Sequence, residues 1–94
     1  MDLPNPLGAA AAFAAFVRQR LAEVSDFVAS APRWPRPEEM HDAARQVALV
    51  IAGAAAPFAP TSYARARLLR QLHASGLLTA TESERAVSLL ELAE

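Results

Sequence analysis

Apolar positions step along the chain by three and four residues in four separate stretches, and nowhere alternate one by one. In the first stretch Phe13, Val17, Leu21, Val24 and Val28 fall on one side, widened by Phe16 and Phe27. Arg18, Gln19, Glu23 and Asp26 fall on the other. This is the period of an amphipathic helix with one face to bury. It predicts a helix over residues 7–30, with Pro6 at its start and residues 1–6 as an extended lead-in. Pro32, Pro35 and Pro37 then interrupt the pattern, because proline cannot continue a helix. Residues 31–37 therefore read as a connector.

The second stretch spans residues 37–56, with Glu38 and Glu39 in the first turn, where acids complement the helix dipole. Met40, Ala44, Val47, Ile51, Ala54 and Phe58 step regularly by four and three. From residue 47 to residue 59 no side chain on any face is charged or polar. A helix that is apolar all round is buried all round. One small chain can hardly wrap it completely, so it is expected to be the central helix or the seam of a dimer. Gly53, among Ala52, Ala54, Ala55 and Ala56, would admit close backbone approach there. The expected interface residues are Val47, Val50, Ile51, Ala54, Ala55 and Phe58, with Trp34 as a possible anchor. Tryptophan in the connector reads either as a plug over the bundle's end or as an exposed binding anchor. Pro32 and Pro35 give a PxxP pair, but no arginine stands at the usual flanking offset for an SH3-type groove.

Pro57 and Pro60 end the second helix, and Thr61 or Ser62 can cap the next. A third helix is predicted over residues 62–75, with Leu68, Leu69 and Leu72 inward and Gly76 as the left-handed residue after its end. Thr79-Ala80-Thr81-Glu82 fits a capping box. It opens a fourth helix over residues 80–93, with Ala86, Val87, Leu90 and Ala93 inward. So short a link makes helices three and four an antiparallel hairpin. The expected fold is all-α, a single domain (1–94) of four main helices, with a short extra turn near Trp34 or Pro57. The run from Leu69 to Leu90, helix then Gly76-Leu77-Leu78-Thr79-x-x-Glu82 then helix, resembles the hairpin of short bacterial C-terminal oligomerisation domains. Its shared residues are general capping chemistry.

Composition changes this picture in one respect. Of 94 residues, 53% are apolar, but 23 are alanine and only 27 are larger. Alanine favours helix and brings little surface to bury, and a chain this short is already marginal on core area. A partner or second copy is therefore expected to complete the burial. The absence of cysteine excludes disulfides, thiol catalysis and Cys-ligated metals. All nine basic residues are arginine, which beside so much alanine reads as the codon usage of a GC-rich genome. The start is acidic and proline-broken, unlike a secretory signal. The longest apolar runs, residues 7–17 and 47–59, are shorter than the roughly 20 residues a membrane span needs. The expectation is a soluble, cytoplasmic protein.

Candidate chemistry is sparse. His41 and His73 are the only neutral-pH bases, and there is no Gly-x-Ser-x-Gly elbow and no phosphate-cradling glycine loop. His73 reads as a solvated surface histidine. Glu38 and His41 form a Glu-x-x-His pair. A di-iron site in a bundle needs two such pairs and further carboxylates, here Glu23 or Glu39. A dimer would have to supply the second set. The expectation is no enzyme, no cofactor, no metal and no small-molecule substrate. It is instead a non-catalytic protein–protein interaction module: a small regulator, inhibitor, chaperone-like adaptor or accessory subunit, acting as a homodimer or in a complex. The alternative is a DNA- or RNA-binding regulator. Its contacts would be Arg65, Arg67 and Arg70 of helix three, flanked by Tyr63. Against it stands the acidic fourth helix, with Glu82, Glu84, Glu91 and Glu94 against a single Arg85. A basic helix beside an acidic one also reads as electrostatic matching between neighbours.

Overall fold

A computed structural model describes residues 6–93, with side chains described from residue 8 onward. Residues 1–5 and Glu94 lie outside it, and with them most of the expected lead-in. Four helices follow one another: α1 (Pro6–Ser30), α2 (Pro37–Ala55), α3 (Ser62–Ala74) and α4 (Ala80–Glu91). There is no strand among the described residues. The all-α bundle is as expected, and Pro6 proves to be the first helical residue, not the last extended one.

Local chemistry accounts for the helix ends. Pro37 opens α2, followed by Glu38 and Glu39 in the first turn. Thr61 caps α3, its Oγ1 accepting the Ala64 N–H at 3.1 Å. After α3 the chain turns through Gly76 at φ 79°, a conformation that costs an L side chain energy and glycine nothing. Leu77 N–H then donates to Leu72 O and Gly76 N–H to His73 O, both at 2.9 Å. Those two bonds make a Schellman ending. The capping box at α4 is complete. Glu82 N–H donates to Thr79 Oγ1 at 3.1 Å, and Thr79 N–H donates to Glu82 Oε1 at 2.8 Å.

The helices are unequal: 25 and 19 residues in α1 and α2 against 13 and 12 in α3 and α4. At 1.5 Å per residue α1 is roughly 37 Å long and α3 roughly 20 Å. The α1–α2 pair therefore outruns the α3–α4 hairpin, and the molecule measures 50 × 25 × 24 Å. Burial follows that geometry. Phe13, Ala14, Val17 and Leu21 of α1 are buried against Val47, Ile51 and Ala55 of α2 and against Leu69, Leu72, Leu78, Ala86 and Leu90. Between Leu21 and Val47 only Pro35 is buried. That part forms a two-helix arm, with Val24, Phe27, Val28 and Met40 half-covered.

The central helix is α4. It packs on α3, on α2 and on α1, whereas α3 packs chiefly on α4. Of the two places expected for α2, the central helix or the seam of a dimer, the first does not hold, since α2 is a side of the bundle. Ser83 on α4 is the buried polar residue of the core. Its hydroxyl donates to Leu69 O at 3.1 Å, which satisfies the hydroxyl in an apolar setting and sets the register of the hairpin.

Arg18 fastens α1 to the hairpin. Its Nε donates to Glu82 Oε2 at 2.9 Å and its second terminal nitrogen donates to Leu77 O. Glu82 is held below the usual carboxylate range, first by the Thr79 N–H and then by Arg18, with partial burial opposing. A lowered folded-state value contributes stability that is present above the ordinary carboxylate pKa. It is lost as the pH falls through the lowered value. Glu82→Gln is therefore expected to flatten the acid side of the stability profile by lowering stability at neutral pH, because the amide can still accept the Thr79 N–H but lacks the charge that pairs with Arg18. Thermal melts across the acid range check this, and an unchanged acid slope would refute it.

Candidate functional site

The expected seam on α2 divides between two sides of the helix. Val47, Ile51 and Ala55 are 7%, 0% and 2% exposed and lie in the chain's own core, so in this fold they are closed to a partner. Ala54 is half-buried and packs against that core. Val50 keeps its outward position at 46% exposed, and Leu49 joins it at 44%. Gln46 and Gly53 share their side of the helix and are exposed, and a side chain at Gly53 would meet open space. Leu49 was missed because it stands outside the four-and-three stepping of the inward positions. A helical wheel puts it opposite Ile51, and that is the signal that could have found it.

Phe58 is 66% exposed and sits apart from this strip. Its ring lies 6.4 Å from that of Phe13, tilted by 56°. With Leu68 and Leu72 the two rings line an apolar groove of about 290 Å³ beside the start of α1. Trp34, at 77%, is at the tip of the arm and covers nothing. Of its two readings, the plug over the bundle's end is therefore overturned. Buried Pro35 and the bonds of Arg33, to Glu39 Oε1 at 2.8 Å and to Trp34 O at 3.4 Å, hold that loop in place.

The three arginines of α3 are in different settings. Arg65 is half-buried, and its guanidinium donates to Ala59 O at 3.1 Å and to Pro60 O at 3.2 Å. It ties the α2–α3 connection together and does not face outward. Arg67 and Arg70 are exposed, as is Tyr63. Among the described residues no ion pair joins α3 to α4, so the expected matching of a basic helix to an acidic one does not form. The acid of the α4 capping box is taken by Arg18 of α1 instead. His73 is exposed, as expected, and its Nδ1 lies 3.0 Å from Leu78 O.

Glu38 and His41 are both exposed on the arm. Glu23 pairs with Arg20 at 3.0 Å, and Glu39 with Arg33 at 2.8 Å. Among the described residues no three His, Cys, Asp or Glu side chains gather where one ion could bind. A cleft of about 480 Å³ between α1 and α4 has Leu21, Val24, Leu89 and Leu92 with Glu84 and Arg85 in its walls. It contains neither histidine. No described helix is long and apolar enough to cross a membrane.

Comparison with known proteins returns no match to a family model, to a curated protein or to a solved structure.

Proposed function

We propose that this chain is a cytoplasmic, non-catalytic protein–protein interaction module that pairs with a second copy of itself through the outer face of α2. The observation that carries this reading is the strip of Leu49, Val50 and Gly53, exposed on a helix with no charged residue after Arg45. An uncharged strip offers no charge pattern with which to select a different partner. It is self-complementary when two copies meet about a two-fold axis. Trp34, exposed at the arm's tip, remains available as an anchor for a further protein. A small regulator or accessory adaptor is the role that fits such surfaces. The nucleic-acid reading is weaker, since Arg65 is committed to backbone carbonyls.

Light scattering on the purified chain is expected to give twice the 10.0 kDa chain mass at micromolar concentration. Val50→Asp places an unpaired charge in the seam of each copy. It is expected to weaken pairing at least about a hundredfold and to leave the helical circular dichroism unchanged. A monomer at every micromolar concentration, with nothing retained in a pull-down, would reject the proposal.

A further inference from the structure

The groove beside the start of α1 is open and apolar throughout. Its walls are Ala9, Ala10 and Phe13 of α1, Phe58 of the α2–α3 connection, and Leu68 and Leu72 of α3, with no polar side chain among them. Phe13 and Leu72 belong to the core and form the floor, whereas Ala9 and Phe58 are exposed and Ala10 and Leu68 half-buried. The backbone fixes the place of the exposed ring. Phe58 N–H and Ala59 N–H both donate to Ala55 O, at 2.9 and 2.8 Å, and Ala59 is buried beneath the connection. A large apolar ring held in water on so firm a base gains by being covered.

We propose that the lead-in to α1 covers this groove: residues 1–5 turn back along the first turns of the helix and seat Leu3 over Phe13 and Phe58. The chain enters at the right place. α1 opens at Pro6, and Ala9 to Phe13 lie about 5–10 Å further along the axis. Leu3 stands three residues before Pro6 and reaches about 10 Å when extended. The local sequence also gives the direction. Asn5, before a helix that opens on proline, has the chemistry of an N-cap. Pro4 then holds the position whose side chain packs on the fourth helical residue, and that residue is Ala9, in the groove's wall. Leu3 and Asn5 each precede a proline and are biased to extended backbone, so the segment has less freedom to lose on docking. The size of the groove argues against a separate occupant. Its volume of about 290 Å³ takes a side chain or two, whereas a stable interface between separate chains buries roughly 800 Å² on each. It presents no polar side chain to orient a small ligand. A tethered side chain needs neither, because its docking is intramolecular. The groove sits apart from the α2 strip, so the strap stands whether or not copies pair there.

The test is NMR on the full chain with methyl-labelled leucine, the Leu3 signals being assigned by their loss in Leu3→Ala. Nuclear Overhauser contacts are expected from the Leu3 methyls to the ring protons of Phe58 and Phe13, with the methyls shifted upfield by the rings. Mixing labelled with unlabelled chains separates contacts within one chain from contacts between copies. Leu3→Asp is expected to melt about 4–8 °C lower at the same protein concentration. Leu3→Met, which keeps the volume, is expected to melt close to the parent. Leu3 methyls at the positions of an unfolded peptide, with no contact to either ring, would overturn the proposal. Contacts found only between copies would overturn it too, and so would a Leu3→Asp melt equal to the parent's.

Discussion

Ile51→Ala is expected to be among the most damaging single substitutions in the chain, costing about 2–5 kcal/mol. Ile51 is fully buried and, with Leu69 and Val17, one of the largest side chains completely enclosed. Truncation removes its transfer energy and leaves a cavity that the surrounding helices fill only in part. A domain of this length has a total stability of roughly 5–14 kcal/mol. The loss is thus a large fraction of the whole, and the melting temperature should drop by at least about 10 °C. Urea and thermal unfolding followed by circular dichroism measure it, at one fixed protein concentration because pairing makes stability concentration-dependent. Leu49→Ala is the matched control on the outer side of the same helix. If Ile51→Ala stayed within about 0.5 kcal/mol of the parent, as surface substitutions do, the phase assigned to α2 would be wrong.

Ala86→Leu is expected to destabilise by about 1–3 kcal/mol or more through overpacking. Ala86 is fully buried on the helix that packs against the other three. Extra carbons there must push a neighbouring helix away or force strained rotamers. At an exposed position of the helix the same change would add apolar cover and be neutral or stabilising. The sign of the effect therefore reports directly whether position 86 is enclosed by the neighbouring helices. Ala80→Leu, at an exposed position of the same helix, controls for propensity. A chemical-denaturation midpoint for Ala86→Leu at or above the parent's would contradict the packing described.

Much of this architecture is legible in the chain because its signals are local. The prolines, Thr61, Gly76 and the Thr79–Glu82 pair act within a few residues of the ends they define, so the helix boundaries emerge within one or two positions. The phase of α1 is equally clear, since Arg18, Gln19, Glu23 and Asp26 label its wet side. The phase of α2 beyond Arg45 is not. Where every side is apolar, periodicity carries no mark of which side faces water, and half of the seam residues fell in the core. Alanine compounds the difficulty. Ala14, Ala48, Ala55, Ala59 and Ala86 are buried while Ala11, Ala12, Ala15 and Ala80 are exposed. So small a side chain has little transfer energy with which to declare its place.

The charged residues divide in the same way. Charge bookkeeping placed the arginines of α3 opposite the acids of α4, the nearest neighbour in sequence. In the folded chain Glu82 instead meets Arg18, 64 positions away, and Arg65 turns back onto two carbonyls six and five residues before it. No spacing rule reaches across such a distance. What the chain alone determined is the number of helices, their ends and the hairpin of the last two, all set by backbone hydrogen bonds made within a turn or two. What only the tertiary structure decided is that α4 is the centre, that Leu49 and Val50 rather than Val47 and Ile51 face outward, and that Arg67 and Arg70 find no ion-pair partner among the described residues. Those depend on which helix lies against which, and that is chosen by packing among residues far apart in sequence.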